Sequence, residues 1–167
     1  AAWVLSDAVY SGNSLTLANG AARGLYIKPD GTELYVTDLS DDRVYQYTLN
    51  TPFELSTATY SGNNYLVSQD SGEQQIWFKP DGLKMYIVGS NTDDAFQYTL
   101  STAWDVSTAS YDSVSFALTS GSTITPLGMY FKPDGASFFV TDLQGDEVLQ
   151  FDLSTAWDLS TASISAN

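Results

Sequence analysis

Three pairs of acidic residues recur in this chain at positions where they could bind a metal ion. They are Asp41-Asp42, Asp93-Asp94 and Asp146-Glu147. Calcium takes about six to eight hard oxygen ligands, and paired carboxylates supply some of them. The D-x-[DN]-x-[DN]-G spacing of a calcium loop is absent, so turn formation and solubility explain the pairs better. We therefore predict no cofactor, and Ca²⁺ is the ion that these acids would hold if one binds.

Four aromatic residues recur beside Asp, Ser and Thr, and they are candidates for carbohydrate binding. The positions are Trp3, Phe53, Trp104 and Trp157. An exposed tryptophan with such neighbours can stack on a sugar ring while the polar groups bond its hydroxyls. Alternatively, each ring packs in a groove between neighbouring structural units, which the phenylalanine at position 53 favours. Both interpretations stay open, with Trp3, Trp104 and Trp157 as the candidate ligand residues.

The composition excludes several other functions. The 167 residues include no His and no Cys, which removes the commonest general base, the commonest transition-metal ligand and all thiol chemistry. No nucleophile–base pair is visible, so a binding protein is expected rather than an enzyme. The net charge of −14 repels nucleic-acid phosphates and anionic lipid headgroups, so neither nucleic acid nor a membrane is predicted as a partner.

An internal repeat positions all of these residues. The sequence K-P-D-G begins at Lys28, Lys79 and Lys132, at spacings of 51 and 53 residues. Each copy lies between two apolar strands, a and b, and is followed by an acidic turn, a third strand c, a connector and a fourth strand d. Proline presets φ for the turn, and Asp-Gly tolerates the reversal. A period of this length predicts one propeller blade per repeat.

The predicted fold class is all-β, with β-propeller blades of four antiparallel strands and three blades per chain. Strands a and b are apolar on both faces, as in sheets that are covered on both sides, and a radial stack of blades provides that cover. The prediction is one half-propeller over residues 1–167. Its parts are an N-terminal d strand at 1–18 and repeats at approximately 19–69, 70–120 and 121–167.

The repeat resembles a known family. The segments GLYIKPDG (24–31), LYVTD (34–38) and RVYQY (43–47) are similar to the YVTN/NHL-type β-propeller repeat, and the resemblance covers essentially the whole chain. It implies the propeller fold. It implies no single activity, because the family includes binding scaffolds, surface proteins and unrelated enzymes.

The strands of the repeat run out of phase with the blades. Their order is d-abc-d-abc-d-abc, so a first d strand, Tyr10 to Leu17, lacks its own a, b and c, and the last abc lacks its d. Three blades do not close a ring, since propellers have about four to eight, and unpaired edges promote aggregation. We predict a homodimer that closes a six-bladed ring by exchanging the N-terminal strand (velcro closure). A nine-bladed trimer, or half of a longer propeller, are the alternatives.

Antiparallel alternation divides the turns between two faces of the predicted ring. The K-P-D-G turns and the connectors share one face, which is nearly the same in every repeat. The b–c and d–a loops share the other face, which varies, and recognition usually lies in loops on a rigid scaffold. We therefore predict a polar ligand at the channel mouth; unselected variation in solvent-facing loops is the alternative. The candidate ligand residues here are Arg23, Glu73, Gln74 and Gln75.

Two further sets of polar residues are predicted to be structural. Asp38 and Asp142 are expected to bond local backbone amides, and Gly89 replaces them in the middle repeat. Gln46, Gln97 and Gln150 recur in strand c and are expected to satisfy buried polar groups.

Three functions remain open from the sequence. The first is a non-catalytic recognition and scaffold module for a polar ligand, such as a carbohydrate, or for a protein partner. The second is a metal-dependent, lactonase-like hydrolase, for which only Glu73 is expected in the channel, since the other repeats have Ala22 and Pro126 there. The third is a structural component of a surface or virion assembly. The compartment is undetermined, although the acidity and the absence of thiols favour an extracellular or surface setting.

Overall fold

Three similar sheets make up the chain. The computed structural model describes residues 6, 8–17, 20–119 and 124–164, and of Glu73 only the backbone. Among these residues, the strands are β1 Ala22–Ile27, β2 Glu33–Asp38, β3 Arg43–Leu49, β4 Ala58–Leu66, β5 Glu73–Phe78, β6 Lys84–Gly89, β7 Asp94–Leu100, β8 Ala109–Ala117, β9 Pro126–Phe131, β10 Ser137–Asp142, β11 Glu147–Leu153 and β12 Ala162–Ile164. Single 3-10 turns at Leu55–Thr57, Val106–Thr108 and Leu159–Thr161 precede the fourth strand of each sheet.

Each sheet is an antiparallel meander of four consecutive strands. The orders are β1-β2-β3-β4, β5-β6-β7-β8 and β9-β10-β11-β12, and we call the sheets blade 1, blade 2 and blade 3. This confirms the prediction of an all-β chain with three four-stranded blades. In the part of the chain that the structure describes, no helix has the length and apolar character to span a membrane.

The hydrophobic core lies between the blades. Tyr35 and Val44 of blade 1 pack in one cluster with Ile76 and Phe78 of blade 2. A second cluster joins blade 2 to blade 3 in the same way. Successive residues of one strand are therefore buried on opposite faces, which explains why strands a and b lack the alternation of a half-exposed sheet.

The K-P-D-G turns and the connectors meet on one face, as the strand alternation predicts. In blade 2, the backbone N–H of Trp104 donates to the Gly82 carbonyl at 3.0 Å. Gly82 has φ +73°, a left-handed conformation that glycine adopts without strain. The turn's Lys79 and Asp81 form an ion pair at 2.7 Å. Equivalent contacts recur in the other two blades.

The C-terminal end of the chain differs from the predicted strand order, whereas the N-terminal segment has no strand partner among the described residues of its own chain, as strand exchange between chains would require. The strands β4 and β8 have nine residues each, whereas β12 has three, so blade 3 has the beginning of a d strand that we did not expect. The predicted d strand from Tyr10 to Leu17 does not form within one chain. A strand needs a hydrogen-bonding neighbour, and this segment pairs with none of the described strands.

Candidate ligand-binding face

An open, shallow cleft of about 440 Å³, lined by both polar and apolar side chains, lies on the loop face between blades 1 and 2. The d–a loop that follows β4 forms one wall, and the b–c turn of blade 2 forms another. Most of its polar side chains carry hydroxyl or amide groups. The lining residues are Asp42, Leu66, Val67, Ser68, Gln69, Asp70, Ser71, Asn91 and Thr92.

The buried carboxylate of Asp70 holds the two walls of this cleft together. It accepts hydrogen bonds from the Gly72 N–H on its own loop and from the N–H and the hydroxyl of Thr92 across the cleft, at 2.8 and 2.7 Å. A Cβ at Gly89 would lie 2.4 Å from Asp70 Cγ. Glycine at position 89 is therefore what makes room for this carboxylate.

In the other two blades, a carboxylate at the end of strand b bonds loop amides, and in blade 3 two of these amides are equivalent to the partners of Asp70. In blade 3, Asp142 accepts from the N–H groups of Thr125, Gln144 and Gly145 at 2.7, 2.9 and 2.9 Å. These amides, that of Thr125 above all, lower the pKa of Asp142. In blade 1, Asp38 accepts from the Ser40 N–H at 2.9 Å. The prediction that Asp38 and Asp142 bond local amides is confirmed.

Asp70 is a residue that sequence reasoning missed. In the repeat alignment, Gly89 stands where the other blades have Asp38 and Asp142, and Gly72 and Thr92 correspond to Thr125 and Gly145. In blade 2 the carboxylate thus lies in the d–a loop and not in strand b, whereas the backbone N–H groups that it bonds are at equivalent positions. The signal in the sequence was an aspartate at 70 that coincides with the loss of the aspartate at 89.

The acidic pairs serve the b–c turns. Asp42, Asp93 and Asp146 have φ of 55°, 58° and 53°, in the left-handed region that aspartate tolerates better than most residues. Burial, followed by the charges of Asp70 and Asp142, raises the pKa of Asp93. Within the described ranges, no three His, Cys, Asp or Glu side chains converge on a metal position.

Two of the four predicted rim residues bond other parts of the protein. Gln74 Nε2 donates to Ser90 Oγ at 2.9 Å, and Gln75 Oε1 accepts from the Leu25 N–H of blade 1 at 3.0 Å. Glu73 is the first residue of β5. Arg23 is exposed and forms no ion pair with any side chain that the structure describes. Each of the other five cationic residues has an acidic partner: Lys28, Arg43, Lys79, Lys84 and Lys132.

The recurring tryptophans pack between blades. The Trp104 ring is stacked on Tyr26 of blade 1, with 6.3 Å between centroids, and lies 5.5 Å from Phe78. The Trp157 ring lies 6.3 Å from Tyr86 of blade 2 and stacks on Phe131 of its own blade at 5.2 Å. Both indoles are half-buried. Trp3 lies outside the described residues.

The strand-c glutamines bond across the same junctions. Gln46 accepts from the Val106 N–H at 3.2 Å, and Gln97 accepts from the Leu159 N–H at 2.8 Å. Both are buried, which confirms their predicted structural role. Gln150 is exposed and donates to Asp152 at 3.0 Å, so this expectation fails for a single chain because no blade follows blade 3.

Comparison with known proteins identifies the fold. No protein-family model matches the chain, and no curated protein matches it in sequence. Solved structures do match it. A provisionally assigned 6-phosphogluconolactonase from Bacteroides uniformis is 16% identical with a TM-score of 0.61, over 86% of this chain and 39% of its own.

Two further structures are similar to the same extent. The periplasmic gluconolactonase of Pseudomonas aeruginosa is 16% identical with a TM-score of 0.60, over 80% of this chain and 37% of its own. A β-propeller domain from Myceliophteria thermophila is 12% identical with a TM-score of 0.58, over 83% and 42%. The chain thus spans about two fifths of the length of these neighbours. Its three sheets are blades of a β-propeller fold.

Proposed function

We propose that this chain is a non-catalytic β-propeller module that recognises a neutral polar ligand, a carbohydrate above all, on its loop face. The observation that carries the proposal is the cleft between blades 1 and 2, where hydroxyl and amide side chains lie beside two carboxylates, one of which, Asp70, is already bonded within the protein. The YVTN/NHL-type resemblance of the repeat fits such a module. We further propose that the module works as a homodimeric scaffold in an extracellular or surface setting.

The chemistry of the cleft favours a hydroxylated ligand. Asn91 Nδ2 donates to Ser71 Oγ at 2.7 Å, so the two walls present an amide and a hydroxyl that are already oriented. Pre-oriented neutral groups bond the hydroxyls of a polyol with little loss of side-chain freedom. Phosphorylated and carboxylated ligands suit the site less, because the chain carries −14 and Arg23 is the one cation without an ion-pair partner among the described side chains.

A glycan array tests the carbohydrate ligand. We expect the wild-type protein to bind a subset of neutral glycans, and Asn91→Ala to weaken that binding about three- to tenfold, because an exposed side-chain amide contributes about 1 kcal/mol net when it bonds a ligand hydroxyl. The matched control is Gln144→Ala, at the equivalent loop position of blade 3, which should bind as the wild type does. Absence of binding to every glycan, or equal loss in both variants, would count against the cleft as a carbohydrate site.

A lactonase-like hydrolase is the second candidate, favoured by the names of two structural neighbours. At 16% identity, these names support an assay rather than an assignment. Hydrolysis of a panel of sugar lactones, with and without Ca²⁺, should show no activity above buffer. Activity that depends on the metal and is lost in Glu73→Gln would replace the binding proposal with an enzymatic one.

A further inference from the structure

The outer face of blade 1 exposes residues that are buried at equivalent positions in blades 2 and 3. Leu25 is 54% exposed, whereas its counterparts Ile76 and Met129 are 0% and 4% exposed. Phe53 is 63% exposed, whereas Trp104 and Trp157 are half-buried against the blade that precedes them. Blade 1 therefore has the apolar surface with which blades 2 and 3 contact a preceding blade, and nothing described covers it.

The outer face of blade 3 exposes the residues that in blades 1 and 2 contact the following blade. Val148 is 65% exposed, whereas its counterparts Val44 and Ala95 are fully buried against the following blade. Tyr130 and Phe139 occupy the positions of Trp77 and Tyr86, which contact blade 3 in the cluster that joins blades 2 and 3. The two open faces therefore carry the two halves of a blade–blade junction.

Residues 13–17 lie on blade 1 as the end of β4 lies on blade 2. Leu15 and Leu17 pack against the blade 1 cluster of Leu34, Val36, Tyr47 and Leu49, and their counterparts Tyr65 and Val67 pack against the equivalent cluster of blade 2. Asn13 Nδ2 donates to Glu54 Oε1 at 2.6 Å, and its counterpart Asn63 Nδ2 donates to Asp105 Oδ1 at 3.0 Å. This segment therefore has the position of the d strand of a preceding blade.

Among the described residues, part of the outer edge of β11 in blade 3 has no strand partner, and this segment would supply one. The strand β3 pairs with β4 in two stretches, and Val44 is opposite Tyr65 in the second. The strand β11 pairs with β12 only from Phe151 to Leu153. From Glu147 to Leu149, the outer edge of β11 pairs with none of the described residues.

We infer that residues 14–16 of a second copy of this chain complete blade 3, and that two copies thereby close one ring. The repeat fixes the register: Val148 lies opposite Leu15 of the other copy, as Val44 lies opposite Tyr65. Gln150 then accepts from the Leu55 N–H of that copy, as Gln97 accepts from Leu159. Two copies give six blades, within the usual range of propellers, and three copies give nine, outside it.

The inferred junction between copies differs at two positions from the two junctions within a chain. Tyr35 Oη and Tyr86 Oη donate to the carbonyls of Trp104 and Trp157 at 2.7 and 2.6 Å. In the third repeat the tyrosine is Phe139, and in the first repeat the tryptophan is Phe53. In the inferred ring, Phe139 of one copy lies beside Phe53 of the other, so this junction lacks the hydroxyl-to-carbonyl bond of the two junctions within a chain.

Cysteine pairing tests the register directly, because the chain has no cysteine of its own. Leu15→Cys and Val148→Cys are combined in one chain, the protein is oxidised mildly, and the products are separated on a non-reducing denaturing gel. We expect most of the protein to run as a covalent dimer of about 36 kDa, twice the 18.1 kDa of one chain. A mixture of the two single variants should give the same dimer, which shows that the bond joins two chains.

The matched control combines Thr16→Cys with Val148→Cys. Because successive strand residues point to opposite faces, this pair should link at least about tenfold more slowly. Equal rates for both pairs, no dimer, or a ladder of trimers and larger species would overturn the inference. Hydrogen exchange of the unmodified protein is an independent measure: the Val148 to Gln150 amides should be protected, and persistent fast exchange would contradict the inference.

This inference deepens the scaffold part of the proposed function and rests on it, but its test uses no ligand. A protein that forms the covalent dimer and binds no glycan would refute the recognition proposal alone. A protein that binds glycans through the cleft and never forms the dimer would refute the ring alone.

Discussion

In blade 2, Asp70 takes the role that an aspartate at the position of Gly89 has in the other blades, and this predicts how substitutions at the two positions change the stability of the fold. In blade 2, Asp70 fills the space that a side chain at position 89 would need, and it bonds the loop amides that Asp142 bonds in blade 3. We expect Gly89→Asp to cost about 3 kcal/mol in free energy of unfolding, because it overpacks a buried site and brings two carboxylates together. Asp70→Ala should cost about 2 kcal/mol, because the Gly72 and Thr92 donors lose their acceptor.

The double variant Gly89→Asp with Asp70→Ala recreates the arrangement of blades 1 and 3. It removes the clash and returns a carboxylate to the amides, so we expect a total cost of about 1 kcal/mol, less than that of Asp70→Ala alone, instead of about 5 from additivity. The coupling energy is thus about 4 kcal/mol, above the range of about 0.5–3 kcal/mol that is usual for residues in contact, because the pair of substitutions relieves both a clash and a loss of acceptor. The control is Gly89→Ala with Asp70→Ala, which relieves the clash without restoring a carboxylate, and it should be less stable than the first double variant.

Urea unfolding followed by tryptophan fluorescence, at one protein concentration, measures all five proteins. A fixed concentration matters because association would add to the apparent stability. If the two double variants are equally stable, a carboxylate at position 89 does not replace Asp70. If the costs simply add, the close approach of Gly89 to Asp70 has no energetic consequence. Either result would refute this role of Asp70.

Three further predictions follow from contacts in the structure. Gly82→Ala should lower the free energy of unfolding, measured by thermal unfolding, by at least about 2 kcal/mol more than Gly62→Ala. Both glycines have positive φ, but only at Gly82 would the added Cβ meet the Trp104 ring, at 2.4 Å. Equal losses in the two variants would argue against this packing. Asp142→Asn should lower the melting temperature at pH 7, and its difference from the wild type should shrink as the pH falls below about 3.8. A carboxyl whose pKa is lowered in the fold stabilises the fold above its unfolded pKa and loses that effect when it is protonated. A melting-temperature difference that is independent of pH would contradict the assigned role. Association of two chains that each carry −14 should strengthen between about 0.05 and 0.5 M NaCl as repulsion is screened, and sedimentation that shows the opposite trend would indicate that attractive ion pairs form the junction.

Much of the fold could be predicted because the sequence signals of each turn occur in all three repeats. Pro-Asp-Gly determines the reversal between strands a and b, and Asp42, Asp93 and Asp146 occupy the left-handed position of the b–c turns. Apolar residues on both faces of strands a and b require a neighbour on each side, which is the stacking of blades. These are local rules, and a sequence displays them directly.

The loop face could be predicted only in outline, because its contacts cross from one loop or blade to another. Gln74 and Gln75 resemble free rim residues in the sequence, yet they bond Ser90 and Leu25, which lie far along the chain. Asp70 looks like loop variation until Gly89 is placed against it. The tryptophans could not be divided between a surface site and a packing role without the positions of Tyr26 and Phe131.

The central claim is that two copies of this chain close one propeller ring. The mass of the protein in solution tests it most directly. Light scattering coupled to gel filtration should give about 36 kDa for the wild type, twice the mass of one chain. Val148→Asp should give 18.1 kDa, because this side chain is exposed in a single chain and would be buried only in the ring. A wild-type mass of 18.1 kDa across micromolar concentrations, or an unchanged dimer in Val148→Asp, would contradict the account.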